Sequence, residues 1–144
     1  NKINKMGTRS LTHIIDGEVN FKKTKPSNKT LLTLYRQYDG YLTGHGLDLA
    51  EFLQDISIVN GISGDANKKA NGMGCLSAQL IAHLKDGVGN IYVYPPDSKD
   101  CWEEFTYYIY NEKIGEGVKI AVEGTDNEIL FNGTPGEFIN KLNK

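Results

Sequence analysis

A chain of 144 residues, 39% hydrophobic and 24% charged, is long enough to bury its own core and reads as one globular domain over residues 6–144 behind a polar arm at 1–5. A net charge of -2 and a pI near 5.9 exclude a dedicated duplex nucleic-acid binder, which needs clustered cations to neutralise phosphates. The longest apolar stretches are broken by Gln79, His83 and Lys85, well short of the roughly 20 residues of a membrane span, so no membrane partner is expected. No signal peptide is expected ahead of the fold, and Cys75 and Cys101 lack ligand-like spacing. They read as free thiols of a reducing, cytoplasmic compartment.

In chain order, residues 8–16 alternate as a strand, and Asp16-Gly17 predicts a hairpin turn into a second short run at 19–21. A lysine-rich breaker loop at 22–29 follows, and the strand pattern returns over 30–38, with Leu32, Leu34, Arg36 and Tyr38 on one face. Asp48 as N-cap with Glu51 three residues on predicts the first helix, with a start as early as Gly44 open. Residues 58–71 read as loop. Asn71-Gly72-Met73-Gly74 opens a second helix, stopped by Asp86-Gly87. Strands are predicted at 91–94 and 104–110, with a hairpin joining 118–122 to 128–131. Thr134-Pro135-Gly136-Glu137 starts a last helix, with proline at N1 and glutamate at N3. The sum is an α+β fold, a mainly antiparallel sheet of about six strands with two to three helices packed on one face.

The densest chemistry lies at 35–46, where Tyr35, Arg36, Tyr38, Asp39, Tyr41 and His45 stand among Gly40, Gly44 and Gly46. Of sixteen basic residues fourteen are lysine and only Arg9 and Arg36 are arginine, the side chain suited to gripping a carboxylate or phosphate with two parallel hydrogen bonds. If the first two strands pair antiparallel, Arg9 and Arg36 reach the same end of the sheet beside this loop. That convergence predicts a cradle for negative charge. On this reading Arg36→Ala abolishes ligand binding and leaves the fold intact.

Catalytic patterns are sparse. There is no GxSxG turn, Cys75 and His83 sit two helical turns apart, and the three histidines have no paired metal-ligand spacing, so no catalytic residue, metal or cofactor is assigned. His13 on a strand and His83 on a helix read as structural. His45 reads as functional, an acid or base or a donor to an anion. Tyr38, Tyr41, Tyr94 and Trp102 offer planes for base stacking, while Asn71 and the backbone of Gly72 and Gly74 offer donors at a helix start. As structural readings, the tyrosines suit a sheet core and the glycines suit tight helix packing.

Three blocks, Met6-Gly7-Thr8-Arg9-Ser10-Leu11-Thr12, then Tyr35 through Tyr41 with Gly44-His45-Gly46, then Asn71 through Leu80, resemble a family of small proteins common in phage and prophage genomes. The likeness runs from Met6 to about Tyr110, with Leu42 where the family commonly has proline. It implies a phage origin and a cytoplasmic site of action in a bacterial host. Unrelated phage proteins of this size sequester or destroy the nucleotide signals of host immunity, and analogy with them gives the leading expectation. This is a non-enzymatic binder of a small anionic nucleotide-like ligand, expected to be a homo-oligomer with sites between chains. The alternatives are a hydrolase or phosphodiesterase using His45 with Asp39 or Glu104, and a structural or host-protein-binding phage factor.

Overall fold

The computed structural model describes residues 7–19, 29–61 and 68–144. The arm at 1–5 and most of the lysine loop at 22–29 lie outside the described residues. Six strands form one sheet in the order β5-β2-β1-β6-β7-β8, with β1 at Ser10–Glu18, β2 at Thr30–Arg36, β5 at Ile91–Tyr94, β6 at Phe105–Asn111, β7 at Lys119–Glu123 and β8 at Ile129–Gly133. Every neighbouring pair is antiparallel except the central one, β1 with β6. The expected α+β class, with a mainly antiparallel sheet, is therefore the observed one.

Alternation along the strands creates two unlike faces. Ile14, Leu34, Tyr107, Ile109, Ile120 and Val122 point one way and join Leu49, Leu53, Leu76, Leu80 and Phe138 in the main core. Those last five belong to α1 (Leu47–Leu53), α2 (Gly72–Leu84) and α3 (Pro135–Leu142), so the helices lie on this face. The opposite face carries Leu11, His13, Tyr35, Thr106, Tyr108 and Ala121 and receives no helix among the described residues.

That second face is crossed by a loop for a topological reason. β5 runs parallel to β6 but lies beyond β2 and β1, so the chain must pass over both strands to reach its place. Parallel crossovers usually employ a helix. Here the connection over 95–104 does it: Asp97 N–H donates to Thr33 Oγ1 at 3.0 Å, Thr30 Oγ1 donates to the Asp97 carboxylate at 2.5 Å, and Glu104 N–H donates to the Arg9 carbonyl at 2.9 Å. A loop thinner than a helix leaves space beneath and beside it.

Local signals explain the element ends, with corrections. Asp16-Gly17 is not a hairpin turn: β1 continues to Glu18 through Gly17, whose φ of 76° sits within a bulged stretch of the pairing with β6. The expected strand at 19–21 is not formed at Val19, and its other residues lie outside the described ones. Asp48 is not an N-cap. A five-residue π-helical turn, Leu42–Gly46, runs straight into α1, so the first helix is capped at Gly46 without a side-chain bond. The stretch read as loop at 58–71 contains β3 (Ser57–Val59) and β4 (Lys69–Asn71), a small parallel pair. At α3 the expected capping box is present, Thr134 Oγ1 accepting from Glu137 N–H at 3.1 Å and Glu137 Oε1 from Thr134 N–H at 2.7 Å. The Thr134 N–H bond to this carboxyl, and secondly the Thr134 side chain beside it, hold the Glu137 carboxyl below its usual range. Thr134→Ala should lower unfolding stability by about 1 kcal/mol in urea titration, with an unchanged m-value.

Both sheet edges are blunted by lysines. Gln37 N–H bonds the Asn90 carbonyl, so by antiparallel alternation Tyr92 and Tyr94 turn their peptide groups toward β2 and Ile91 and Val93 turn theirs outward. Lys85 Nζ occupies the outward Ile91 carbonyl at 2.8 Å, and Ile91 N–H folds back on the Gly89 carbonyl at 2.7 Å. At the other edge Lys141 Nζ bonds the Leu130 carbonyl of β8 at 3.1 Å. An edge carbonyl already holding an ammonium is a poor template for another strand.

Candidate functional site

The loop singled out by its composition is a rigid structural joint. Its glycines are fixed by contact: a side chain on Gly40 would collide with Ser10, and one on Gly44 would meet the Asp39 carbonyl at 2.5 Å. Gly40 N–H bonds the Thr8 carbonyl, Tyr107 Oη donates to the Gly40 carbonyl at 2.7 Å, and His45 N–H bonds the carbonyl of Asp39, which takes a φ of 61°.

His45 is completely buried at the centre of this joint. Arg36 Nη1 lies 3.1 Å from its Nδ1, and a guanidinium can only donate, so Nδ1 is the bare nitrogen. Nε2 therefore carries the hydrogen and donates to Thr12 Oγ1 at 2.7 Å, while the Tyr107 ring meets the imidazole edge-on at 5.0 Å. Burial, and secondly the Arg36 charge, push the His45 pKa down to about 3. A neutral imidazole without solvent contact cannot serve the expected acid, base or anion-donor role. His45 pins the loop.

Arg36 is equally committed. Its Nε donates to the Tyr38 carbonyl at 2.9 Å, its Nη1 to His45, and Asp48 Oδ2 stands 4.0 Å away. Asp48 in turn holds His83 Nε2 at 2.7 Å, and the His83 ring stacks on Phe52 at 4.3 Å. The expected convergence of Arg9 and Arg36 fails by one residue. The antiparallel pairing is as expected, but the cross-strand partner of Arg36 is Ser10. Ser10 and Arg36 share the helix face, so a period of two carries Arg9 to the opposite face with Leu11. The two guanidinium groups stand at one end of the sheet, on its two sides.

The sequence-nominated residues thus fall into three groups. Arg36, Asp39, Tyr41 and His45, with Tyr38, form the joint; Tyr41 Oη donates to Asp39 at 3.3 Å, and the rings of Tyr38 and Tyr41 are exposed. Asn71, Gly72 and Gly74 stand apart at the start of α2, where Asn71 Oδ1 accepts from Gly61 N–H. Gly72 has φ +82°, the conformational reason for glycine there, while a side chain on Gly74 would meet nothing. Arg9, Tyr94 and Trp102 belong to the open face.

That open face holds a cleft of about 880 Å³ between the crossing loop and the β7–β8 turn. Its floor includes Leu11, His13, Thr106 and Tyr108; its walls include Asp97, Lys99, Asp100, Trp102, Glu103, Glu104 and Glu123. The loop is built to stand up: Asp97, Asp100 and Trp102 all take positive φ, and Glu103 clamps the turn by accepting from Asp100 and Cys101 N–H. Trp102 is left 83% exposed. Tyr94, beside Cys101, stacks parallel to Tyr35 with centroids 4.8 Å apart. Burial, with Glu103 and Asp100 nearby, raises the Cys101 pKa and leaves it a poor nucleophile. Burial and the Glu123 carboxylate that accepts from Tyr108 Oη raise the Tyr108 pKa.

Reasoning from sequence passed over the cleft, apart from Trp102 and Glu104. The available signal was the one tryptophan set in an acidic stretch, 97–104, directly before a strand whose alternate residues are polar. No protein-family model, curated protein or solved structure matches the chain. Among the described residues no cluster of histidine, cysteine, aspartate or glutamate fits a metal ion, and no helix is long and apolar enough to cross a membrane.

Proposed function

We propose that this chain is a non-catalytic binder that sequesters a small nucleotide-like signalling molecule, held in the open-face cleft. The observation that carries the reading is a cavity of about 880 Å³ with an 83% exposed tryptophan at its wall. That volume suits a nucleotide-sized molecule, and an indole plane gives sequence-tolerant stacking for any base. Arg9 and Lys99 make no side-chain hydrogen bond or ion pair among the described residues, and Lys99 lines the cleft, so cations stand ready for phosphates lying outside its acidic interior. The hydrolase alternative relied on His45, whose burial removes it from any substrate. The resemblance to phage proteins, and the analogy with phage proteins that soak up immune signals, supply the biological setting, the cytoplasm of a bacterial host. One lysine-bonded carbonyl on each sheet edge disfavours a homo-oligomer joined strand to strand at those points.

The test is incubation with a panel of linear and cyclic nucleotides, followed by heat denaturation and analysis of what is released. Intact ligand supports sequestration, altered ligand supports hydrolysis, and absence of any bound nucleotide sinks the proposal. Trp102→Ala should weaken binding about tenfold or more while moving Tm by less than about 2 °C, because the exposed ring contributes little to the core.

A further inference from the structure

The floor of the cleft contains a polar group that the fold does not use. Thr106 is only 9% exposed, yet its hydroxyl has no hydrogen-bond partner among the described residues. It is also absent from the polar atoms that are fully sealed and unpaired, which are Ser10 Oγ, Asn90 Oδ1 and Asn111 Oδ1, so it reaches the open space of the cleft. A hydroxyl in such a place adds nothing to packing that valine would not supply, and buried polar groups are normally bonded.

Its neighbours are chosen by strand geometry. Glu104, the residue just before β6, lines the same cleft, and its carboxylate likewise has no partner among the described residues. Leu11 and Glu123 are the cross-strand partners of Thr106 on its two sides, and Glu123 already accepts the Tyr108 hydroxyl. Separated by one residue and lining one cleft, the Glu104 and Thr106 side chains are close enough in the chain for a pair of adjacent hydroxyls to be proposed as reaching both. The cleft wall is acidic, with Asp97, Asp100, Glu103, Glu104 and Glu123 against Lys99, which suits hydrogen-bond donors and repels phosphate.

On the reading that the cleft holds a nucleotide-like molecule, we infer that the ligand enters sugar first: a ribose cis-diol donates to the Glu104 carboxylate and bonds the Thr106 hydroxyl, the base lies on Trp102, and the phosphates stay outside the acidic wall. The site is thus specific for a vicinal diol, a property distinct from nucleotide affinity in general.

Calorimetric titration of the full chain with ADP, 2′,3′-dideoxy-ADP and inorganic pyrophosphate tests this. The expected result is binding of ADP, about tenfold weaker binding of the dideoxy compound, and none of pyrophosphate. Thr106→Val should lose about tenfold in ADP affinity with Tm unchanged or raised, and Glu104→Gln should lose a similar factor; neither variant should weaken dideoxy-ADP further. Equal affinity for ADP and dideoxy-ADP, unaltered in Thr106→Val, overturns the diol assignment and leaves nucleotide binding standing. Binding of pyrophosphate alone reverses the proposed orientation. No heat with any of the three compounds overturns the diol assignment, and the binding reading falls with it if no nucleotide of the wider panel is retained either.

Discussion

Arg36→Ala is expected to destabilise the fold by about 2–4 kcal/mol, reading out as a fall in both Tm and urea midpoint. The variant removes the donor to buried His45 Nδ1 and the donor to the Tyr38 carbonyl, and it strips Asp48 of its nearby cation. The imidazole nitrogen left behind has no solvent contact, so its desolvation cost is met in full. This is opposite to the expectation from sequence, in which the same substitution spares the fold and removes a ligand. A variant that folds with wild-type stability would show that the joint does not depend on this guanidinium. Arg36→Lys should recover little, since one ammonium cannot serve the His45 ring and the Tyr38 carbonyl in the geometry of a planar fork.

The second large effect is acid lability centred on His45. Its folded pKa of about 3 lies below its ordinary value of 6.5, so the folded state binds this proton less readily than the unfolded chain. The stability linked to this group is therefore complete above pH 6.5 and drains away as pH falls toward 3. The slope approaches about 1.4 kcal/mol per pH unit, or roughly 2–3 kcal/mol by pH 4.5. Urea titrations at pH 7 and pH 4.5 measure it. His45→Gln, which can keep one acceptor and one donor without titrating, should flatten that part of the profile. In the wild type, ring nitrogen signals should report a neutral imidazole protonated on Nε2 at pH 5; a doubly protonated ring there would refute the assignment.

Those two effects show what could and could not be read from the chain. Strand alternation at 30–38 and 104–110, the capping box at Thr134 and the apolar stripe of α2 are local patterns, and each forecasts its element, the strands at Thr30–Arg36 and Phe105–Asn111. Two things had no local signal. The parallel partnership of β1 with β6 joins distant segments and, with β5 placed beyond β2, makes the chain cross the sheet from one side of β1 to the other over the open face, where the cleft lies. The facing of Arg9 against Arg36 depended on a register offset of one residue, which pairing by sheet end does not resolve. Asp48 was read as a cap because its spacing to Glu51 fits, but the π-helical turn before it supplies the helix start and frees its carboxylate for His83.

Rarity of residue type drew attention to real structure but assigned it the wrong task. Arg36, His45 and the surrounding glycines are concentrated because a tight, fully bonded joint needs them. The cleft is made of commoner residues, a threonine, several carboxylates and one tryptophan.

The parallel pair at the middle of the sheet also governs how the chain can fold as it is made. Ser10 must wait for Phe105, so β1 and β2 keep an open flank until a segment about 95 residues downstream of Ser10 has been synthesised. Distant contacts of this kind slow the search for the native state and leave hydrophobic strands uncovered meanwhile. Truncated products ending before β6 would lack both the central partner and the floor beneath the crossing loop, and should be targets for chaperones and proteases.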